Sequence, residues 1–398
     1  MEKFRMFKNT VLLLLLLVSC RNQSQNISSS TSLPIITGAQ QIEVYLPILK
    51  DKNIGIVANQ TSIVTNENGN HIHLVDTLLG HQINIVKVYA PEHGFRGTAD
   101  AGEHIKDGKD SQTGLPIISL YGSNKKPSPI QLQGIDLMIF DLQDVGARFY
   151  TYISTLHYVM EACAENNIPV LLLDRPNPNG SIIDGPVLDP KFQSFVGMHP
   201  VPILHGMTIG EYARMINGQK WLKNGIECSL TVIPVKNYNH SMPYNLPIKP
   251  SPNLPNDQSI NLYSSLCLFE GTNVSVGRGT EKQFQLYGSP FLPKGTFEFT
   301  PQPNHGAKSP MHNGIRCFGE DLSTTQKVTR LELKWLLKAY ETTSDKSVFF
   351  NSFFTNLAGS KTLQNQIESG LSETEIRKSW QPGLNTFKEF RQLYLLYK

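Results

Sequence analysis

The sequence predicts a mostly parallel α/β sheet domain followed by a smaller α+β domain. Two observations carry that expectation. Short apolar runs without polar alternation recur between helical patterns through the first half, which is how strands covered on both faces read. At Asn237–Asp257 the texture changes, with Pro243, Pro247, Pro250, Pro252 and Pro255 among asparagines, a composition that breaks regular structure. Taken in order, Ile54–Ala58 reads as a strand, His71–Leu79 as a helix and Ile83–Ala90 as a second strand. Ile117–Leu120 is a short third strand and Ile135–Leu142 a fourth, apolar on both faces. The helix Phe149–Glu165, the strand Ile168–Asp174, the helix Thr208–Asn217 and the strand Ser229–Val235 complete the alternation. Beyond the break, helical spacing returns at Leu331–Thr342, Asn351–Ala358, Ser372–Trp380 and Phe387–Tyr397.

Ahead of the first strand, Lys3, Arg5 and Lys8 precede the apolar run Val11–Val18, closed by Ser19 and Cys20. A basic start, a short apolar stretch and a small residue mark an export signal, and the run is too short to span a bilayer. Leu17-Val18-Ser19-Cys20 resembles a bacterial lipobox, so the expected signal is residues 1–19 and Cys20 the lipid-bearing residue. A flexible tether, rich in Ser, Asn, Gln and Thr, is expected over residues 20–39. The rest, roughly 360 residues, exceeds one typical core; the expected domains are residues 40–240 and 241–398. The protein is thus expected to be exported and lipid-anchored to a bacterial membrane, facing the periplasm or the cell surface.

Net charge is +3, and without Glu2, Lys3, Arg5 and Lys8 it falls to +1, which gives no electrostatic case for nucleic acid. Cys163, Cys228, Cys267 and Cys317 form no C-x-x-C pair and read as buried free thiols.

In a parallel sheet, ligands gather beyond the carboxyl ends of the strands. The residues there are polar or glycine: Asn59, Gln60 and Thr61; Pro91-Glu92-His93-Gly94; Asp141, Gln143, Asp144 and Arg148; Asp174-Arg175-Pro176-Asn177. Neither G-x-G-x-x-G at the first turn nor G-x-x-x-x-G-K-[ST] occurs, so nothing supports a phosphate cradle. G-x-S-x-G and H-E-x-x-H are also absent from the sequence, which argues against the common serine and zinc hydrolases. Scattered histidines more often make ordinary hydrogen bonds, so no metal is expected. Carboxylates remain. Glycoside hydrolysis needs a proton for the leaving oxygen and a second group to stabilise, activate or attack at the sugar carbon. Glu92 is the candidate acid, and Glu270 or Asp141 the second carboxyl group. Arg148, Arg175 and Arg278 lie in Gly/Asn-rich loops, and each offers the fork that grips a carboxylate. No cofactor is needed for such chemistry.

Pro91-Glu92-His93-Gly94-Phe95-Arg96-Gly97, Asp141–Tyr152, Asp174-Arg175-Pro176-Asn177-Pro178, and Phe269-Glu270-Gly271-Thr272 with Gly277-Arg278-Gly279-Thr280 resemble the exo-β-N-acetylmuramidase family, glycoside hydrolase family 171. The resemblance runs from about Ile42 to the C-terminus. It implies a Rossmann-like first domain, a smaller second domain and an active-site cleft between them. It implies release of terminal N-acetylmuramic acid from the non-reducing end of peptidoglycan fragments during cell-wall turnover, with Glu92 as the leading catalytic residue. Asn59, Gln60, His93, Tyr152, Asn177 and Glu281 are then candidate sugar contacts. The alternatives are a non-catalytic muropeptide- or glycan-binding lipoprotein and an exported amidase or esterase.

Overall fold

The computed structural model describes residues 33–66, 68–96 and 107–397. The predicted signal, Cys20, most of the tether, and Gly97 lie outside the described residues. Ile35–Lys398 forms one contact unit. Its elements run α1 (Ile42–Leu49), β1 (Ile54–Ala58), β2 (Ile63–Thr65), β3 (His71–His73), α2 (Leu74–Gly80), β4 (Ile85–Ala90), β5 (Gly108–Lys109), β6 (Pro116–Ser119), α3 (Pro129–Leu132), β7 (Leu137–Asp141), α4 (Tyr152–Glu165) and β8 (Val170–Leu173). There follow α5 (Ile209–Gly218), β9 (Leu230–Ile233), α6 (Asp257–Leu266), β10 (Leu286–Ser289), β11 (Glu298–Phe299), β12 (Cys317–Asp321), α7 (Lys334–Thr342), α8 (Phe354–Ala358), α9 (Thr362–Glu368) and α10 (Glu373–Arg391).

The seven-stranded sheet has the order β5-β6-β4-β1-β7-β8-β9. Every pairing is parallel except the β5–β6 edge. Counting only the parallel strands gives the Rossmann order 3-2-1-4-5-6, whose crevice opens where the order reverses, at β1 and β7. β1, β7 and β8 are buried at every residue, which is why they read as unbroken apolar runs. Each fully covered Val, Leu or Ile contributes about 1.5–3 kcal/mol. Helix α5 starts with a capping box, Thr208 accepting from the Glu211 amide, an arrangement worth about 1 kcal/mol.

The second half carries a three-stranded antiparallel sheet, β10-β12-β11, with helices around it. One apolar core joins the halves: Phe140, Ile153 and Leu204 belong to the same cluster as Phe269, Trp335 and Phe349. The Pro/Asn-rich stretch therefore lies against the sheet domain. The Pro250 carbonyl accepts hydrogen bonds from Gln60 (3.0 Å), Tyr150 (2.9 Å) and Tyr152 (3.3 Å).

Two of the elements read from the sequence differ from expectation. His71–Leu79 is a strand and then a helix: β3 pairs antiparallel with β2, and the helix begins only at Leu74. His73 caps it, its Nδ1 accepting from the Val75 amide at 3.2 Å. Ile72, inside the expected helix, is 41 % exposed. At the C-terminus the two expected helices are one, α10, running through Pro382. Ile376, Trp380, Leu384 and Phe387 keep one buried face across the proline, and that packing outweighs the lost backbone bond. Cys163, Cys228, Cys267 and Cys317 are buried free thiols.

Candidate active site

After β4 the chain makes a tight turn. The Gly94 amide donates to the Pro91 carbonyl (3.0 Å), and His93, third of the four residues, sits at φ +73°. A positive φ at this position favours Gly or Asn. A non-glycine residue held there costs about 1–3 kcal/mol. The turn is anchored behind: Arg96 pairs with Asp110 (2.8 Å) and Asp76 (3.4 Å) and lies 4.5 Å from the centre of the Phe95 ring. The Arg96 hydrogen bond holds the Asp110 carboxyl down at about 2. Glu92, at the second position of this turn, is half-buried and accepts a 2.7 Å hydrogen bond from the Thr151 hydroxyl.

Glu270 comes from the tight turn Cys267–Gly271, which continues α6. Gly271 lies so close to the Phe354 backbone that a Cβ there would collide with it, and this contact seats α8 against the turn. Glu270 Oε1 accepts from Arg278 Nη1 at 2.9 Å, and Oε2 lies 3.6 Å from the Cys267 thiol.

Glu92 and Glu270 line one cavity of about 290 Å³. The first half of the chain also contributes His93, Tyr121, Tyr150, Thr151 and Phe195, and the second half Asn253, Tyr263, Arg278 and Phe353. The lining joins two carboxyl groups and one guanidinium to several aromatic rings. Such a surface can seat a sugar on its apolar faces, hold an anionic substituent and deliver a proton. Among the described residues no three His, Cys, Asp or Glu side chains converge as a metal site.

The sequence profile of the exo-beta-N-acetylmuramidase NamZ N-terminal region matches residues 54–258, and that of its C-terminal region matches residues 261–397. The chain belongs to the exo-β-N-acetylmuramidase family. A peptidoglycan beta-N-acetylmuramidase of Bacillus subtilis is 38 % identical over 375 residues, covering 89 % of each chain. A DUF1343-family crystal structure from Bacteroides fragilis superposes with a TM-score of 0.84 at 45 % identity, covering 92 % of this chain and 99 % of that one. A second protein of that family from the same organism gives 0.76 at 27 %, with the same coverage. The family's fold, a Rossmann-like sheet domain with a smaller antiparallel one, is the fold seen here.

Within this family member the cavity gathers five of the residues singled out from the sequence: Glu92, His93, Tyr152, Glu270 and Arg278. The remainder stand outside its lining. Asp141, at the end of β7, is fully buried and closed into a two-point ion pair with Arg175, at 2.6 and 2.8 Å. Arg175 also donates to the Ile63 carbonyl. Neither group lines the cavity, where the second carboxyl group and a carboxylate grip were expected. Arg148 is wholly buried and donates to the carbonyls of Pro186, Val201 and Leu357 at 2.8–2.9 Å. It ties the two halves together, and burial pushes it down to about 9, still cationic at neutral pH. Asn59 is engaged internally, donating to the Tyr152 hydroxyl (2.6 Å) and accepting from the Thr61 amide and hydroxyl. Gln60 braces the Pro250 and Lys249 carbonyls. Asn177 donates to the Met207 carbonyl and accepts from the Asn179 amide. Glu281 is exposed, off the cavity. Tyr152 forms wall, but its hydroxyl is committed to Asn59 and Pro250.

The sequence reading passed over Thr151, Phe195, Asn253 and Tyr263 as site residues. Thr151 stood inside the Arg148–Tyr152 run, between residues chosen for charge and aromaticity. Asn253 lay in the stretch read as a boundary. Phe195 and Tyr263 carried no local signal, because only the packing of distant segments brings them to the cavity.

Proposed function

We infer that the protein removes terminal β-1,4-linked N-acetylmuramic acid from the non-reducing end of peptidoglycan fragments. The observation that carries the reading is the pairing of Glu92 and Glu270, with Arg278, in one small cavity. Its volume lies at the low end of ligand pockets (~300–1,000 Å³), which suits one sugar unit at a chain end better than a run of sugars. The family's activity and the B. subtilis relative's name support the same substrate. In this reading Glu92 is the general acid and Glu270 the second carboxyl group. Arg278, held beside Glu270, meets the lactyl carboxylate of the sugar, and His93 is a sugar contact. The signal-like N-terminus supports export with a lipid on Cys20, placing the enzyme on a bacterial membrane beside its substrate; incorporation of labelled fatty acid that is lost in C20A tests that part.

The test of the activity uses N-acetylmuramic acid–β-1,4–N-acetylglucosamine with wild type and E92Q, products being followed by mass spectrometry. Wild type releases free N-acetylmuramic acid, and E92Q loses about 10²–10⁴-fold in rate, the usual worth of a positioned acid. Tight binding of the disaccharide without cleavage by either protein makes this a glycan-binding lipoprotein instead. Release of an amino acid in place of a sugar makes it an amidase.

A further inference from the structure

Thr151 stands at the start of α4, a 14-residue helix, in the position that caps a helix. A threonine there ordinarily turns its side-chain oxygen back to accept from an amide of the first turn. Thr151, whose backbone is already helical there (φ −70°, ψ −4°), makes no such bond. Its hydroxyl donates instead to Glu92 Oε2 at 2.7 Å, across 59 residues of sequence. The threonine is itself fixed: it is buried, its carbonyl accepts from the Ser154 and Thr155 amides, and a β-branched side chain has few rotamers to choose from. Glu92, by contrast, sits on a turn whose next residue is at positive φ. A stiff donor on the sheet domain's longest helix thus meets a carboxyl carried by a loop, in the wall of the cavity.

We propose that Thr151 is a positioning residue that holds Glu92 in the orientation for proton delivery, an inference that rests on Glu92 being the acid. Because the hydroxyl donates to Oε2, the acid's proton resides on Oε1. When the glycosidic C–O bond breaks, the departing sugar oxygen takes that proton and leaves as a hydroxyl. Water supplies the hydroxyl on the released N-acetylmuramic acid, and its remaining proton restores the acid. Without the Thr151 bond the carboxyl rotates, and the proton is less often aimed at the leaving oxygen. A reacting group displaced by even a fraction of an ångström loses rate steeply.

Leaving-group dependence tests this directly. A sugar alkoxide must be protonated to leave, whereas a 4-nitrophenolate leaves without a proton. The full-length protein in detergent is assayed for kcat/KM on the disaccharide and on 4-nitrophenyl β-N-acetylmuraminide, as wild type, E92Q, T151V, T151A and T151S. The expected result for T151V is a loss of about 10- to 100-fold on the disaccharide, the worth of one hydrogen bond to a carboxyl that becomes charged as it gives up its proton, and less than about 3-fold on the aryl glycoside. T151S, which keeps the hydroxyl, recovers most of the disaccharide rate. T151A repeats the test if valine disturbs the helix start. Equal losses on both substrates, or none on either, in a folded T151V or T151A overturn the positioning role while E92Q still shows the contrast. If E92Q itself loses both substrates equally, the acid assignment fails, and the role of Thr151 with it.

Discussion

Replacing Arg175 by methionine separates a structural arginine from a substrate-binding one. Arg175 and Asp141 are 3 % and 0 % exposed and meet through two hydrogen bonds. Methionine fills much of the volume but leaves the Asp141 carboxyl buried without its partner, a change that costs about 3–5 kcal/mol. At about 2 cal/mol/K per residue the Ile35–Lys398 unit unfolds with an entropy near 0.75 kcal/mol/K, so a loss of about 4 kcal/mol lowers Tm by about 5 °C. Arg278 provides the control. Its pair with Glu270 is a quarter exposed on each side, a setting in which an ion pair is worth about 1 kcal/mol or less. R278M should therefore shift Tm by no more than about 1 °C, while raising KM for the disaccharide about 10-fold or more if it grips the lactyl carboxylate. The assay is a thermal melt by circular dichroism beside kcat/KM on the disaccharide, normalised to folded protein. An R175M protein with wild-type Tm and lost turnover would refute the argument, since it would place Arg175 in the chemistry despite its burial.

Two further outcomes follow from buried groups near the site. Burial pushes the Asp144 carboxyl up to about 7, against the opposing amides of Gly146 and Val145. A folded value above the unfolded one (about 3.9) means its contribution is fully present below pH ~4 and lost as pH rises through about 7. D144N should therefore gain on wild type by up to about 1.4 kcal/mol per pH unit between those limits; parallel denaturant curves at pH 4 and pH 7.5 would sink the idea by showing the same difference at both. G271A drives a methyl into the Phe354 backbone, so it should destabilise by about 1–3 kcal/mol and reduce turnover through Glu270, as read by urea midpoint together with kcat; unchanged values in both would show that the turn yields.

Strand-by-strand, the first half was legible because β1, β7 and β8 are covered on both faces. Their residues must be apolar without alternation, and that pattern survives in one dimension. The polar strand ends were legible too, since the Rossmann crevice sets where they fall, and Glu92 was found in that way. The helix start at Leu74 and the uninterrupted α10 were not legible. Which side of Ile72 meets water, and whether Pro382 breaks a helix, depend on what packs against them.

The same reasoning divides the candidate site. Residue type and loop position placed Asp141, Arg148, Arg175 and Glu270 on an equal footing as charged groups near strand ends and glycines. Only burial and partners distinguish them. Asp141 and Arg175 neutralise each other inside the sheet, and Arg148 spends its donors on three carbonyls. Glu270 and Arg278 meet at the cavity wall beside Glu92. The sequence by itself determined the sheet and the family, and it singled out Glu92 as the candidate acid. The tertiary structure decided which of the other charges face the cavity and that Thr151 holds Glu92. Whether a charge is bound within the protein or remains available to a ligand depends on neighbours tens to hundreds of residues away.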